Sequence, residues 1–483
     1  MMNLNKEKLR DKIYACWIGK NIGGTLGAPF EGSRKLLNID GFSTPPNTAL
    51  PNDDLDLQLL WLKAVEDYGI GHLSGKLLGE YWISFITGQW NEYGIAKLNL
   101  SDGLFPPLSG NFRNDWKNSN GAWIRTEIWA CMMPASPNCA ARYAKTDAMV
   151  DHGSGEGTYA AIFVAAMQSA AFVENNIRRL IEIGLSKIPE NCRTARAIRL
   201  AVSMYDKGET WQAARNAILE EVKDIGDGWF EAPGNVAYVI IGLLYGNGDF
   251  KKSMLTAVNC GDDTDCTAAT VGATLGIIGG TSALPEDWVR HIGDGIITCA
   301  LNCGLDYRFP SSCTELTDRV IGQIPNAMRE NKIGIAVSDD EDSIPDEYKA
   351  GFTVYDKALD ILYNGNYYEL DFTFCRISVC FVSEPQIKAG GNIRLKIIIN
   401  GNRIFGNSPY NFSIRWHLPD GWSVSSPVRH YHNASTWHKK GISEFEATIY
   451  AGESVEPLNS VIAELNVAQR PTTCLIPISI IGD

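Results

Sequence analysis

The spacing of apolar residues changes once along this chain, and that change limits its fold more than any other feature. From Leu9 to about Ile324 apolar side chains recur at helical spacing, with breaks at Gly, Pro or Asn clusters. Beyond Tyr368 they alternate with polar ones over short runs, as strands with one buried face require. A chain of 483 residues exceeds one ordinary compact core, and 45% hydrophobic content supplies material for more than one. The pattern predicts a multidomain chain, an all-α helical bundle over 1–325 followed by a smaller all-β domain over 351–483.

Residues 326–350 include Asp339-Asp340-Glu341-Asp342 and Pro345, and their polarity predicts an acidic, solvated linker. After it, Tyr368 to Val382 alternates, Ile393 to Ile399 runs into the turn Asn400-Gly401, and Pro419-Asp420-Gly421 separates Phe412 to Leu418 from Trp422 to Val424. With Glu444 to Tyr450 and Ser460 to Val467, these strands suffice for an immunoglobulin-like β-sandwich of roughly 110 to 130 residues. No catalytic motif lies in it, and the chain has no internal repeat.

Gly157 to Val173 and Thr267 to Leu284 are nearly apolar on every side. Gln168 and Ser169 break the first and glycines fill the second, so both predict central bundle helices rather than membrane spans. Near the N-terminus, Lys6, Lys8, Arg10 and Lys12 are not followed by an apolar run of signal-peptide length, and the expected location is cytoplasmic. The twelve cysteines lack the spacing of a disulfide scaffold or zinc site and are expected to be reduced and buried. Net charge is −13 with no offsetting basic cluster, which argues against nucleic acid as a partner. No partner protein or oligomeric state can be read from the sequence.

Two acidic motifs carry the chemistry. In Asn52-Asp53-Asp54-Leu55-Asp56 the acids stand at the start of an amphipathic helix. A helix cap needs one Asp, whereas adjacent carboxylates repel unless a cation or several donors lie between them. In Asp262-Asp263-Thr264-Asp265-Cys266 three acids precede an apolar helix, where unpaired charge is costly. Oxygen donors without local His or Cys pairs suit Mg²⁺, Mn²⁺ or Ca²⁺ rather than zinc. The competing reading is a cap plus ion pairs to Lys or Arg, although neither motif contains a base.

These motifs, with Gly23-Gly24-Thr25-Leu26-Gly27-Ala28-Pro29-Phe30-Glu31, Asn120-Gly121-Ala122-Trp123-Ile124-Arg125 and Asp151-His152-Gly153, resemble the ADP-ribosylglycohydrolase family in type and order. The resemblance covers roughly residues 9 to 285 and implies an all-α fold with two Mg²⁺ or Mn²⁺ ions, cleaving ADP-ribose from modified acceptors. It implies metal ligands at Asn52, Asp53, Asp54, Asp263 and Asp265, with catalytic roles for Glu31, Asp54 and Asp263. Substrate contacts are implied at Ser119, Asn120, Gly121, Trp123, Arg125 and His152. Cys266 stands where the family commonly has a Thr ligand and Asp262 where it has Gly, and a thiol is a poor partner for Mg²⁺. Asp56 and Asp262 are extra acids able to restore a ligand. Without the resemblance, Glu31 reads as a surface residue and His152 as a cap or packing residue. Trp123 replaces a smaller residue of the family, and with the Trp-rich first 130 residues and the extra β domain it keeps a second reading open: a metal-dependent furanosidase acting on a non-nucleotide carbohydrate. A non-catalytic relative would be expected to lack the acids retained here.

Overall fold

The computed structural model describes residues 2–226, 228–302, 304, 307–401, 410–432, 441–468 and 470–483. A helical body comes first and a β-rich region follows, as the change in periodicity predicts. The helical body includes α1 (Lys6–Gly27), α2 (Asp53–Tyr68), α3 (Glu156–Ala171), α4 (Ala232–Gly246), α5 (Thr264–Gly279) and α6 (Cys313–Glu330). Most of each apolar stretch that invites a membrane reading lies in α3 or α5, buried in the body, and the second runs on past α5 into a 3-10 turn at Gly280–Ala283. Among the described residues no single helix is long and apolar enough to cross a membrane.

Helices α1 and α5 run antiparallel and pack more closely than ordinary side chains allow. Gly19 faces Gly272, Gly23 faces Ala268 and Ala269, Gly27 faces Thr264 and Asp265, and Gly276 faces Ala15. A Cβ on any of these glycines would sit inside the opposing backbone. The spacing of four puts them on one stripe of each helix, so the two backbones meet directly.

The segment 326–350 is not a free linker. Its first residues finish α6, and strand β2 (Ile335–Ser338) pairs in parallel with the N-terminal strand β1 (Met2–Asn5). Asn3 exchanges backbone hydrogen bonds with Ser343 at 3.1 and 2.8 Å. The acids of 339–342 remain exposed, and backbone pairing beneath them, invisible to composition, builds the segment into the body.

The β region holds β3 (Tyr367–Phe372), β4 (Cys375–Phe381), β5 (Gln386–Ile387), β6 (Asn392–Gly401), β7 (Tyr410–His417), β8 (Ser423–Ser425), β9 (Arg429–His432), β10 (Ile442–Tyr450), β11 (Leu458–Val467) and β12 (Thr473–Gly482). They form two five-stranded sheets, ordered β3-β4-β6-β10-β8 and β5-β12-β11-β7-β9, whose buried faces share one core. The alternating run 368–382 is a hairpin rather than one strand, turning at Thr373 and Phe374. Strand β12 escapes sequence reading because Pro477 interrupts it. Beside β11, β12 meets only β5, at Ile481 and Gly482, so it is an edge at Pro477 and tolerates the missing N–H. Leu104, Leu108 and Phe112 of the helical body enter this core, joining the two regions. The described cysteines are free, and all but Cys299 are buried.

Candidate functional site

The glycine stripe sets the site. Because Gly27 lies against Thr264 and Asp265, the turn Ala28–Phe30 that follows α1 delivers Glu31 beside the start of α5. Thr264 Oγ1 donates to the Gly27 carbonyl at 2.8 Å. Beyond it, Gly32 N–H donates to Asp262 O at 2.9 Å and Asp262 N–H to Ser33 O at 2.8 Å, clasping the two turns. Asp262 has φ of 68°, left-handed backbone that glycine adopts freely and Asp tolerates. Its carboxylate accepts from Phe230 N–H and the Asn235 amide, both at 3.2 Å. It thus braces the loop, and its carboxyl is pushed up to about 6 by burial.

Two further elements complete the cleft. Asn52 caps α2 by accepting from Asp54 N–H at 2.8 Å, and its amide fills the space left by Gly24. The Ser119–Gly121 loop approaches from the other side, where Asn120 Nδ2 donates to Asp263 Oδ2 at 2.6 Å and Asn120 Oδ1 accepts from the Trp123 indole at 2.9 Å. Glu31, Asp53, Ser119, Asn120, Gly121, Asp263 and Asp265 therefore line one cleft, together with Trp90, Glu92, Tyr93, Phe230 and Cys266.

Oxygen atoms of Glu31, Asp263 and Asp265 lie within 4.8 Å of one another. The Oδ1 atoms of Asp263 and Asp265 are buried without a hydrogen-bond partner. Burial, then the charges of Asp265 and Asp53, pushes Glu31 up to about 7, although it stays open to solvent on one side. Asp53 also rises to about 7, through burial first and then Asp265 and Asp56. Asp263 lies well above the usual carboxylate range, again through burial and then Asp265. Burial and mutual repulsion of this kind favour the protonated form, and a nearby positive charge would oppose them.

Asp54 faces the other way. Its carboxylate is fully buried, accepts the Cys266 thiol hydrogen at 3.2 Å, and lies 3.6 Å from Lys20 Nζ. Lys20 is also 3.2 Å from Glu127 Oε2, and both contacts are ion pairs without hydrogen-bond geometry. Burial lowers the Lys20 pKa, but Glu127 and Asp54 outweigh it and the net shift is upward. Asp56 accepts from Cys299 N–H at 2.7 Å and Ala300 N–H at 2.6 Å, a structural anchor.

Three residues given substrate contacts by the resemblance lie behind the cleft wall. Trp123 is fully buried. Arg125, also buried, pairs with Asp147 at 3.0 Å and with both oxygens of Asp151 at 2.7 and 3.0 Å, and donates to Gly121 O. His152 touches Ser119 Oγ through Nε2 at 3.1 Å and stands 3.0 Å from Asp151 Oδ1, so it backs the loop. Sequence reading missed Lys20 and Asn235, although each is a lone polar residue on an apolar helix face.

The chain is similar to several known proteins. An "Uncharacterized protein" of Archaeoglobus fulgidus is 22% identical over 299 residues, spanning 59% of this chain and 93% of its own. A solved structure titled "ADP-ribosylglycohydrolase-related protein complex" gives a TM-score of 0.45 at 19% identity, covering 67% of this chain and 99% of its own. The family model described as ADP-ribosylglycohydrolase matches residues 5–323, more than half of the 483. With that match, the chain belongs to the ADP-ribosylglycohydrolase family.

Proposed function

We propose that the protein is a divalent-metal-dependent hydrolase that cleaves an ADP-ribosyl, ribofuranosyl glycosidic bond with Mg²⁺ or Mn²⁺. The observation that carries this is the pair of unsatisfied, buried Oδ1 atoms of Asp263 and Asp265, converging with Glu31 from another element. This donor set is all oxygen and fits a hard cation. When bound, such an ion polarises water and grips sugar hydroxyls at a bond that breaks through an oxocarbenium-like state. The chain supplies the rest. Asn120 fixes the Asp263 carboxylate, and Glu31, exposed at the mouth, is placed to take a proton from water.

A second reading, a furanosidase for a non-nucleotide sugar, is favoured by one feature. Among the described residues lining the cleft none is Lys or Arg, while Trp90, Tyr93 and Phe230 offer flat faces. A pyrophosphate calls for local donors, and Arg125 is committed elsewhere.

Turnover of ADP-ribosylated peptides and synthetic ribofuranosides and arabinofuranosides, with each ion, tests both readings. Asp263→Asn is expected to lower turnover at least ~10²-fold. Competitive inhibition by free ADP-ribose supports the first reading. Furanoside turnover without such inhibition supports the second, and no turnover of any glycoside with either ion rejects both.

A further inference from the structure

The family resemblance implies two ions, but the chain itself occupies the place of one. Asp54, Asp265 and Cys266 each bring a ligand-capable atom within 4.8 Å of the others, which is where a second ion would sit. The donors do not fit it. Cys266 presents sulfur to a hard cation, and its thiol hydrogen is directed at Asp54 Oδ1, 3.2 Å away. The other oxygen of Asp54 faces Lys20 Nζ at 3.6 Å. That ammonium cannot drift off, because its second partner, Glu127, is held by amide hydrogens of Gln58 at 2.9 Å and Gln168 at 3.0 Å. Lys20, Asp54 and Glu127 are all buried. A fixed positive charge here neutralises Asp54 and repels a second dication.

Resting on the metal-dependent reading above, we propose that the Lys20 ammonium replaces the second ion, leaving a single divalent cation held by Glu31, Asp263 and Asp265. Oxygen ligation is open at Asp263 and Asp265, whose Oδ1 atoms have no hydrogen-bond partner, and at solvent-exposed Glu31, all three lining the cleft. Asp54 Oδ2 also lacks a hydrogen-bond partner, but it faces the Lys20 ammonium, and Asp54 does not line the cleft.

Titration of metal-stripped full-length protein with Mn²⁺, followed by calorimetry and electron paramagnetic resonance, tests this. The expected result is about one equivalent with the spectrum of an isolated ion, against the pair at about 3.5–4 Å of a two-metal site. Two equivalents with a coupled spectrum overturn the inference and leave metal dependence intact, whereas no saturable uptake overturns both. Lys20→Met combined with Cys266→Thr, its fold checked by circular dichroism, is expected to gain a second equivalent. A folded double variant that still binds one ion overturns the role given to Lys20. Lys20→Arg keeps the charge and is expected to stay at one equivalent; two would likewise overturn it.

Discussion

Arg125 commits its guanidinium to Asp147, Asp151 and the Gly121 carbonyl, all inside the protein. Removing one partner of a buried ion pair strands the other, so Arg125→Met is expected to cost about 3–5 kcal/mol, read as a lower denaturant midpoint. Unchanged stability with weaker ADP-ribose binding would instead place Arg125 among the substrate contacts. The acids of the cleft lead to a prediction in pH. Folded Asp53 and Glu31 titrate near about 7, above their ordinary values, so between pH 4 and 7 the folded state binds more protons than the unfolded chain. Unfolding free energy then falls as pH rises through that window. Asp53 weighs more, because solvent screens Glu31. The Tm of metal-stripped protein should therefore drop from about pH 4 to 7, and Mg²⁺ or Mn²⁺ should raise it more at about pH 8 than at about pH 5. An equal gain at both would count against Glu31 as a ligand and against Asp53 as a charge that the ion offsets. At this scale the acids were legible because they cluster in sequence, whereas Lys20 was not, since its partners Asp54 and Glu127 come from other elements.

Between elements, the contact that matters most is the one between α1 and α5. A methyl group on Gly23 would have to displace the backbone of Ala268 and Ala269. Gly23→Ala is expected to destabilise by about 1–3 kcal/mol and to weaken metal binding, because it shifts the Glu31 turn relative to Asp263 and Asp265. Calorimetry alongside thermal melts checks this, and a melt change without loss of metal affinity would separate the stripe from the site. Helix and strand territories were readable because their periods differ. The glycines of the second apolar stretch marked a closely approached central helix, but which helix they meet was not readable, since the partner lies far along the chain. β12 was hidden by Pro477, which only an edge position makes acceptable.

Across the whole molecule, the helical body and the β region share apolar contacts. Leu108 and Phe112 sit in the sandwich core, Asn111 donates to Asn366 Oδ1 at 2.7 Å, and Lys145 donates to the carbonyls of Ala358 and Asp360 at 3.0 and 2.5 Å. A chain ended at residue 325 loses β2 from β1 and exposes both side chains, each worth about 1.5–3 kcal/mol when buried. It is expected to aggregate, as light scattering would show. A soluble, fully helical fragment would mean instead that the two regions fold independently.

The antiparallel contact between α1 and α5 also governs how the protein is born. Thr264 bonds to Gly27 across 237 residues, so α1 leaves the ribosome long before its partner exists. At roughly 5–20 residues per second, translation leaves its glycine-lined face and its buried Ile13, Trp17 and Ile22 uncovered for roughly 12 to 50 s. Throughout that interval the nascent chain offers an unmatched apolar helix to whatever binds such surfaces first, and slowing synthesis between α1 and α5 lengthens the exposure.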